Sequence, residues 1–149
     1  MKYEILNLKE KYPILGEDGR DPVLALYIPY YGMEKVKAAL RKRPSILICP
    51  GGGYAGCSQR EDEPIALHFL PEGYNVFVLT YSTAPHRFPA QLLEVAAAME
   101  LIYENAEEWG CDTEKIAIMG FSAGGHLSAH YSTCFDCEEV RRFSRKANR

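Results

Sequence analysis

Lys115-Ile116-Ala117-Ile118-Met119-Gly120-Phe121-Ser122-Ala123-Gly124-Gly125-His126-Leu127-Ser128-Ala129 reads as a buried strand, a tight turn and a helix rich in small residues. Its centre, Gly120 to Gly124, fits G-x-S-x-G, the turn that presents a nucleophilic serine between a strand and a helix. Each position has a physical task. Ser122 must take a strained backbone conformation to stand clear of the strand. Side chains at Gly120 and Gly124 would collide where helix and strand pack closely. The N–H of Ala123 then points at the oxygen of a bound carbonyl.

Upstream, strands alternate with helices. Ser45-Ile46-Leu47-Ile48-Cys49 is a short apolar run suited to a strand buried on both faces, with Cys49 as a core thiol. Arg60 to Leu70 predicts a helix with Pro64 in its first turn, and Tyr74 to Tyr81 predicts a fourth strand. From Gln91 to Glu108 the chain carries Leu92, Val95, Ala96, Met99, Ile102, Tyr103 and Ala106 at helical spacing, and Gly110 is the expected stop. Before these, Tyr3–Leu8 and Pro22–Pro29 predict two antiparallel strands separated by a loop from Lys11 to Arg20. The Lys- and Arg-rich stretch from Gly32 to Arg43 predicts a solvated excursion. The pattern argues for a mostly parallel sheet of five strands with helices on both faces.

The composition narrows the function classes. The chain has 149 residues, enough for one core, and 47% of them are apolar. A formal charge of −3 offers no field for nucleic acid. No apolar run approaches the ~20 residues of a membrane span, and Met1-Lys2-Tyr3-Glu4 runs into a strand pattern rather than a signal peptide. Cys49, Cys57, Cys111, Cys134 and Cys137 read as free thiols, which predicts a cytoplasmic protein.

Three stretches together resemble the α/β-hydrolase superfamily, and within it the short-chain serine esterases with a Gly-rich oxyanion loop. They are Pro50-Gly51-Gly52-Gly53-Tyr54, Tyr81-Ser82-Thr83-Ala84-Pro85-His86-Arg87-Phe88-Pro89-Ala90, and Gly120 to Leu127. They occur in the family's order, and the likeness covers the chain to about residue 132. Its nearest expression is the acetyl esterases that deacylate sugars or xylan. The resemblance implies a small-molecule ester substrate and no cofactor or metal. It makes Ser122 the catalytic nucleophile and the N–H groups of Gly52, Gly53 and Ala123 the oxyanion hole. Three adjacent glycines let the backbone approach that oxygen without obstruction. Pro50 stands where many relatives carry histidine, so one hydrogen bond that braces the loop is expected to be missing. Tyr54 and His86 are candidates for the pocket wall or for structural roles.

Two rival patterns are present. Gly51, Gly53 and Gly56 satisfy the dinucleotide fingerprint G-x-G-x-x-G. That motif needs a helix opening at once and an acid at the end of the next strand, where this chain has Thr80-Tyr81. His126, His130, Cys134 and Cys137 form an imaginable zinc set, but their spacing is not that of a zinc site, and the histidines read better as helix packing.

The expected order of catalytic partners is serine, then an acid, then histidine. After Ser122 the chain offers Asp136, Glu138 and Glu139, and no histidine follows His130. His126 lies a turn along the helix and is expected to point away from the serine. The expectation is therefore a single incomplete α/β-hydrolase domain over residues 1–149, the N-terminal part of a longer enzyme, with 133–149 a loose C-terminal tail. Such a chain exposes the apolar strand 115–119 as an edge, which predicts either aggregation or a homodimer through it. Little turnover is expected from the chain alone. A non-catalytic binding or interaction module is the second reading, and a nucleotide-binding domain the third.

Overall fold

The architecture was obtained as a computed structural model that describes residues 1–29 and 42–147. Strands β1 (Lys2–Asn7), β2 (Val23–Ile28), β3 (Arg43–Cys49), β4 (Asn75–Thr80) and β5 (Cys111–Gly120) form one sheet in the order β1-β2-β4-β3-β5. The β4, β3 and β5 ladders are parallel, and β1 and β2 add antiparallel to that block. Ile46 pairs with Val76 and with Ala117, so the register places Cys49 beside Gly120 at the strand ends. That rim carries the Gly-rich loop and the serine turn side by side.

The period of two sorts each central strand between two cores. Leu47 and Cys49 of β3, with Phe77 and Leu79 of β4, join a large cluster with the helices α1 (Leu8–Lys11), α3 (Ala90–Glu104), α4 (Ala106–Trp109), α5 (Ala123–Cys134) and α6 (Glu138–Ala147). Ile46, Ile48, Val76 and Val78 pack on the other face with Ala66 of α2 (Glu63–Phe69). Full burial of side chains such as Phe77, Leu47 and Leu79 contributes about 1.5–3 kcal/mol each. Among the described residues, no helix is long and apolar enough to cross a membrane.

Several boundaries differ from the sequence reading, each for a physical reason. The long helix breaks at Asn105, whose side-chain amide donates to Leu101 O at 2.9 Å, so Ala106–Trp109 forms a separate turn. Tyr103, expected on the apolar face, is 49% exposed. Gly110 ends that turn in the left-handed conformation at φ 67°, as its position predicts. The segment expected as loop from Lys11 contains helical turns, begun when the Asn7 side-chain Oδ1 accepts from Lys9 N at 3.1 Å and continued from Pro13. Arg43 belongs to β3; residues 32–41 of the expected solvated excursion lie outside the described residues.

The largest correction concerns the expected loose tail at 133–149. Residues 138–147 form α6, and Val140 and Phe143 are buried. Two apolar residues three apart share a helix face. That face is sufficient here because Phe143 meets the Tyr12 ring at 5.4 Å and α6 lies against α3. Glu138 and Glu139 sit in the first turn, where the helix dipole favours them, and Glu138 pairs with Arg142.

Candidate active site

Ser122 sits between β5 and α5 at φ 52°, ψ −119°, a conformation that costs a non-glycine residue roughly 1–3 kcal/mol. The residue is exposed. Its two flanking glycines are enforced by close approach. A Cβ on Gly120 would lie 2.1 Å from Gly124 O, and one on Gly124 would lie 2.0 Å from Cys49 O. The turn is locked by Phe121 N donating to Cys49 O at 3.2 Å and Gly124 N donating to Phe121 O at 2.8 Å. The N–H of Ala123, first residue of α5, donates to no acceptor among the described residues.

The Gly-rich loop abuts this turn. A Cβ on Gly51 would lie 3.2 Å from Ser122 Cβ and 2.8 Å from a carboxylate oxygen of Glu61. Gly52, Gly53 and Tyr54 follow with φ of 147°, 62° and 59°, a left-handed run that folds the loop back on itself. Its hydrogen bonds are divided unequally. Gly51 N donates to Glu61 Oε2 at 2.6 Å, Ser58 N to Gly51 O at 2.8 Å and Ala55 N to Gly52 O at 3.0 Å. Gly52 and Gly53 are exposed, and their N–H groups have no protein acceptor among the described residues. The brace expected to be lost with Pro50 is supplied elsewhere: the Tyr81 hydroxyl donates to Pro50 O, and Glu61 holds Gly51. Neither residue was identified from the sequence, because Glu61 and Tyr81 reach the loop through tertiary contact rather than local spacing.

Tyr54 and His86 come together in a cavity of about 310 Å³ bounded by α3 and α5. His126 and His130 line it too. Their spacing predicts helix packing, whereas His126 is exposed and faces the cavity. The Tyr54 hydroxyl and His126 Nδ1 lie 2.8 Å apart, so that ring nitrogen is engaged by the tyrosine. Burial pushes the Tyr54 hydroxyl above the ordinary tyrosine value.

The loop carrying His86 is pinned from below by Glu94 of α3. Its buried carboxylate accepts from Ser82 N at 2.7 Å and Ser82 Oγ at 2.6 Å, while Gln91 Nε2 donates to the carbonyls of Ser82 and His86. Burial raises the Glu94 pKa, only partly opposed by the Ser82 bonds. The native state therefore holds a proton that the unfolded chain releases, and stability from this group falls as pH rises from the ordinary glutamate value through the raised one. Urea unfolding across mildly acidic to neutral pH is expected to show that decline, and Glu94→Gln to flatten it. A slope unchanged in the variant would assign it to other groups, such as Asp62, whose pKa burial also raises.

Other chemistry finds less support in the geometry. After Gly56 the chain forms a single 3-10 turn at Gln59–Glu61, and α2 opens only at Glu63, so no helix starts at the Gly-rich turn as a dinucleotide site requires. All five cysteines are free. Burial holds Cys49 at about 12 and Cys57 at about 11, which keeps both as unreactive thiols at neutral pH. Among the described residues, no group of three or more His, Cys, Asp or Glu is arranged to hold a metal ion.

Comparison with known proteins agrees with this geometry. The sequence model of the BD-FAE family matches residues 32–147. The chain belongs to that family. This BD-FAE chain is 39% identical over 101 residues to an endo-1,4-beta-xylanase B of Butyrivibrio fibrisolvens, a match covering 64% of the chain and 16% of the relative. It is 31% identical over 117 residues to an acetylxylan esterase of Xylanibacter ruminicola, covering 76% and 24% respectively. The crystal structure of an α/β-hydrolase enzyme from a Medee basin deep-sea metagenome library superposes with a TM-score of 0.75 at 39% identity, covering 88% of this chain and 50% of that one. The fold is thus the α/β-hydrolase fold, and its five strands correspond to about half of the solved relative. The BD-FAE chain spans between 16% and 24% of the length of these two curated relatives.

Proposed function

We propose that this chain carries the acyl-accepting half of a serine carboxylic-ester hydrolase acting on short-chain acyl esters, acetylated sugars among them. Ser122 Oγ attacks the ester carbonyl carbon. The carbonyl oxygen takes the negative charge beside the N–H groups of Gly52, Gly53 and Ala123. The alcohol leaves with a proton, and water later releases the acid from acyl-Ser122. The observation that carries this reading is the exposed, strained Ser122 lying against a loop whose Gly52 and Gly53 donors have no protein acceptor among the described residues. A preorganised donor of this kind lowers a barrier by about 3 kcal/mol. Relatives named acetylxylan esterase and carboxylesterase support the substrate class.

Among the described residues no histidine ring is hydrogen-bonded to the Ser122 hydroxyl to take its proton, and Nδ1 of His126 is held by Tyr54. The chain alone is therefore expected to turn over slowly. The test is prolonged exposure to p-nitrophenyl acetate followed by peptide mass spectrometry. One acetyl group on the Ser122 peptide is expected, and acetylation spread over lysines with none at Ser122 would end the proposal.

The second reading, an interaction module, is favoured by one observation. At the outer edge of the described sheet, Ile116, Ile118 and Met119 are half-buried and Ala117 is exposed. Pairing of this edge with a second copy predicts a discrete dimer in sedimentation. Ala117→Lys, which places a charge on the edge, is expected to shift it to monomer; an unchanged dimer would locate the contact elsewhere. The five free thiols fit a cytoplasmic location.

A further inference from the structure

The Gly-rich loop presents its donors from the least constrained part of its backbone. Gly52 and Gly53 are exposed, lie at φ 147° and 62°, and have N–H groups without a protein acceptor among the described residues. Glycine's freedom opens the approach to a ligand oxygen, and it equally lets the backbone drift. Three anchors oppose that drift. Before the two glycines, Glu61 Oε2 accepts from Gly51 N at 2.6 Å. After them, Tyr54 O accepts from Ala84 N at 2.6 Å, which ties the loop to the segment that follows β4. The third anchor is the Tyr54 hydroxyl, 2.8 Å from His126 Nδ1. Of the three, it alone reaches α5, the helix whose first residue is Ala123.

Both ends of that bond are held. His126 N donates to Ser122 O at 3.0 Å, so His126 stands one helical turn from the serine. The Tyr54 ring meets Tyr81 edge-on at 5.9 Å, and the Tyr81 hydroxyl donates to Pro50 O. The Tyr54 and His126 rings stand at 86° with centroids 5.8 Å apart. Tyr54 also holds φ 59°, a left-handed conformation uncommon for an aromatic residue. Glycine would take it at no steric cost; what tyrosine adds here is the side chain that reaches α5.

We propose that Tyr54 and His126 are positioning residues: their hydrogen bond latches the Gly-rich loop to α5 and fixes the Gly52 and Gly53 N–H groups relative to Ser122. This rests on the esterase reading, in which those donors meet the ester oxygen.

The test compares Tyr54→Phe, His126→Leu and the double variant of the full chain, using two reagents. p-Nitrophenyl acetate brings a developing oxygen anion to the donors. Its thiono counterpart, with sulfur in place of the carbonyl oxygen, brings a larger and weaker acceptor. In both, Ser122 Oγ bonds to the carbon, p-nitrophenolate leaves and the serine proton passes to water. Labelling of the Ser122 peptide is followed over time by mass spectrometry. Each single variant is expected to lower the acetate rate about tenfold, less than deletion of a donor, and to leave the thiono rate within about twofold. The oxygen-to-sulfur ratio therefore falls. The double variant should be no slower than either single, because both remove the same bond. Phe143→Leu, which loosens the distant contact with Tyr12, should keep the parental ratio. Equal slowing of both reagents, or single effects that multiply in the double variant, overturns the latch and leaves the esterase reading standing. An unlabelled Ser122 in the parent ends the esterase reading instead. The latch is then decided by nitrogen-15 heteronuclear NOEs: Gly52 and Gly53 are expected to lose order in Tyr54→Phe, and unchanged values overturn it.

Discussion

Gly124→Ala is expected to destabilise the fold by about 3 kcal/mol or more, among the larger costs of overpacking. The added methyl would stand 2.0 Å from Cys49 O and 2.5 Å from Pro50 O, both backbone atoms at the end of β3. No side-chain rotation relieves such a contact; α5 must lift from the sheet. Lifting it would expose Leu127, buried on the same helix, and pull Ser122 away from Gly51. The neighbouring glycine provides the control. A Cβ on Gly125 meets nothing nearer than Gly120 O at 3.2 Å, and alanine is the better helix former by about 1 kcal/mol. Gly125→Ala is therefore expected to be near neutral. Urea unfolding of the two variants should separate them clearly, with Gly124→Ala losing roughly 6–12 °C in thermal midpoint. Equal stabilities would mean that α5 lifts from the sheet at little cost.

That contrast also marks what a sequence makes legible. Gly120 and Gly124 were readable because G-x-S-x-G couples a short segment to a local strain, and local geometry follows from local spacing. The central strands were readable from apolar runs, and the sorting of Leu47 from Ile48 between two cores follows from the period of two. Glu61, Tyr81 and Glu94 were not readable. Each stabilises its loop by a bond across 10, 31 and 12 residues respectively, and no periodicity announces a polar side chain that folds back to one backbone group. α6 was missed for a related reason. Val140 and Phe143 look sparse in a basic segment, and their value depends on Tyr12, far away in the chain. His126 misled because helical spacing places it beside Leu127 without saying that Tyr54 would claim its ring.

Ser122→Gly is expected to make the protein more stable and chemically silent. The serine holds φ 52° and ψ −119°, where a Cβ is strained, and relief is worth roughly 1–3 kcal/mol. Glycine returns some of that gain through its freer unfolded chain, about 0.4–1 kcal/mol. The net gain of about 1 kcal/mol should raise the thermal midpoint by roughly 2–4 °C. Ser122→Ala keeps the Cβ and therefore the strain, so its stability should match that of the parent. Both variants lose the hydroxyl, and neither should take an acetyl group from p-nitrophenyl acetate at this peptide. A stabilising glycine beside a neutral alanine shows that the fold spends free energy on holding this hydroxyl in the open. Packing alone gives no reason for such strain at an exposed residue, whereas presentation of a nucleophile to an ester does. If glycine were instead destabilising, the conformation of Ser122 would owe its stability to side-chain contacts, and the turn would be a structural corner rather than a reactive one.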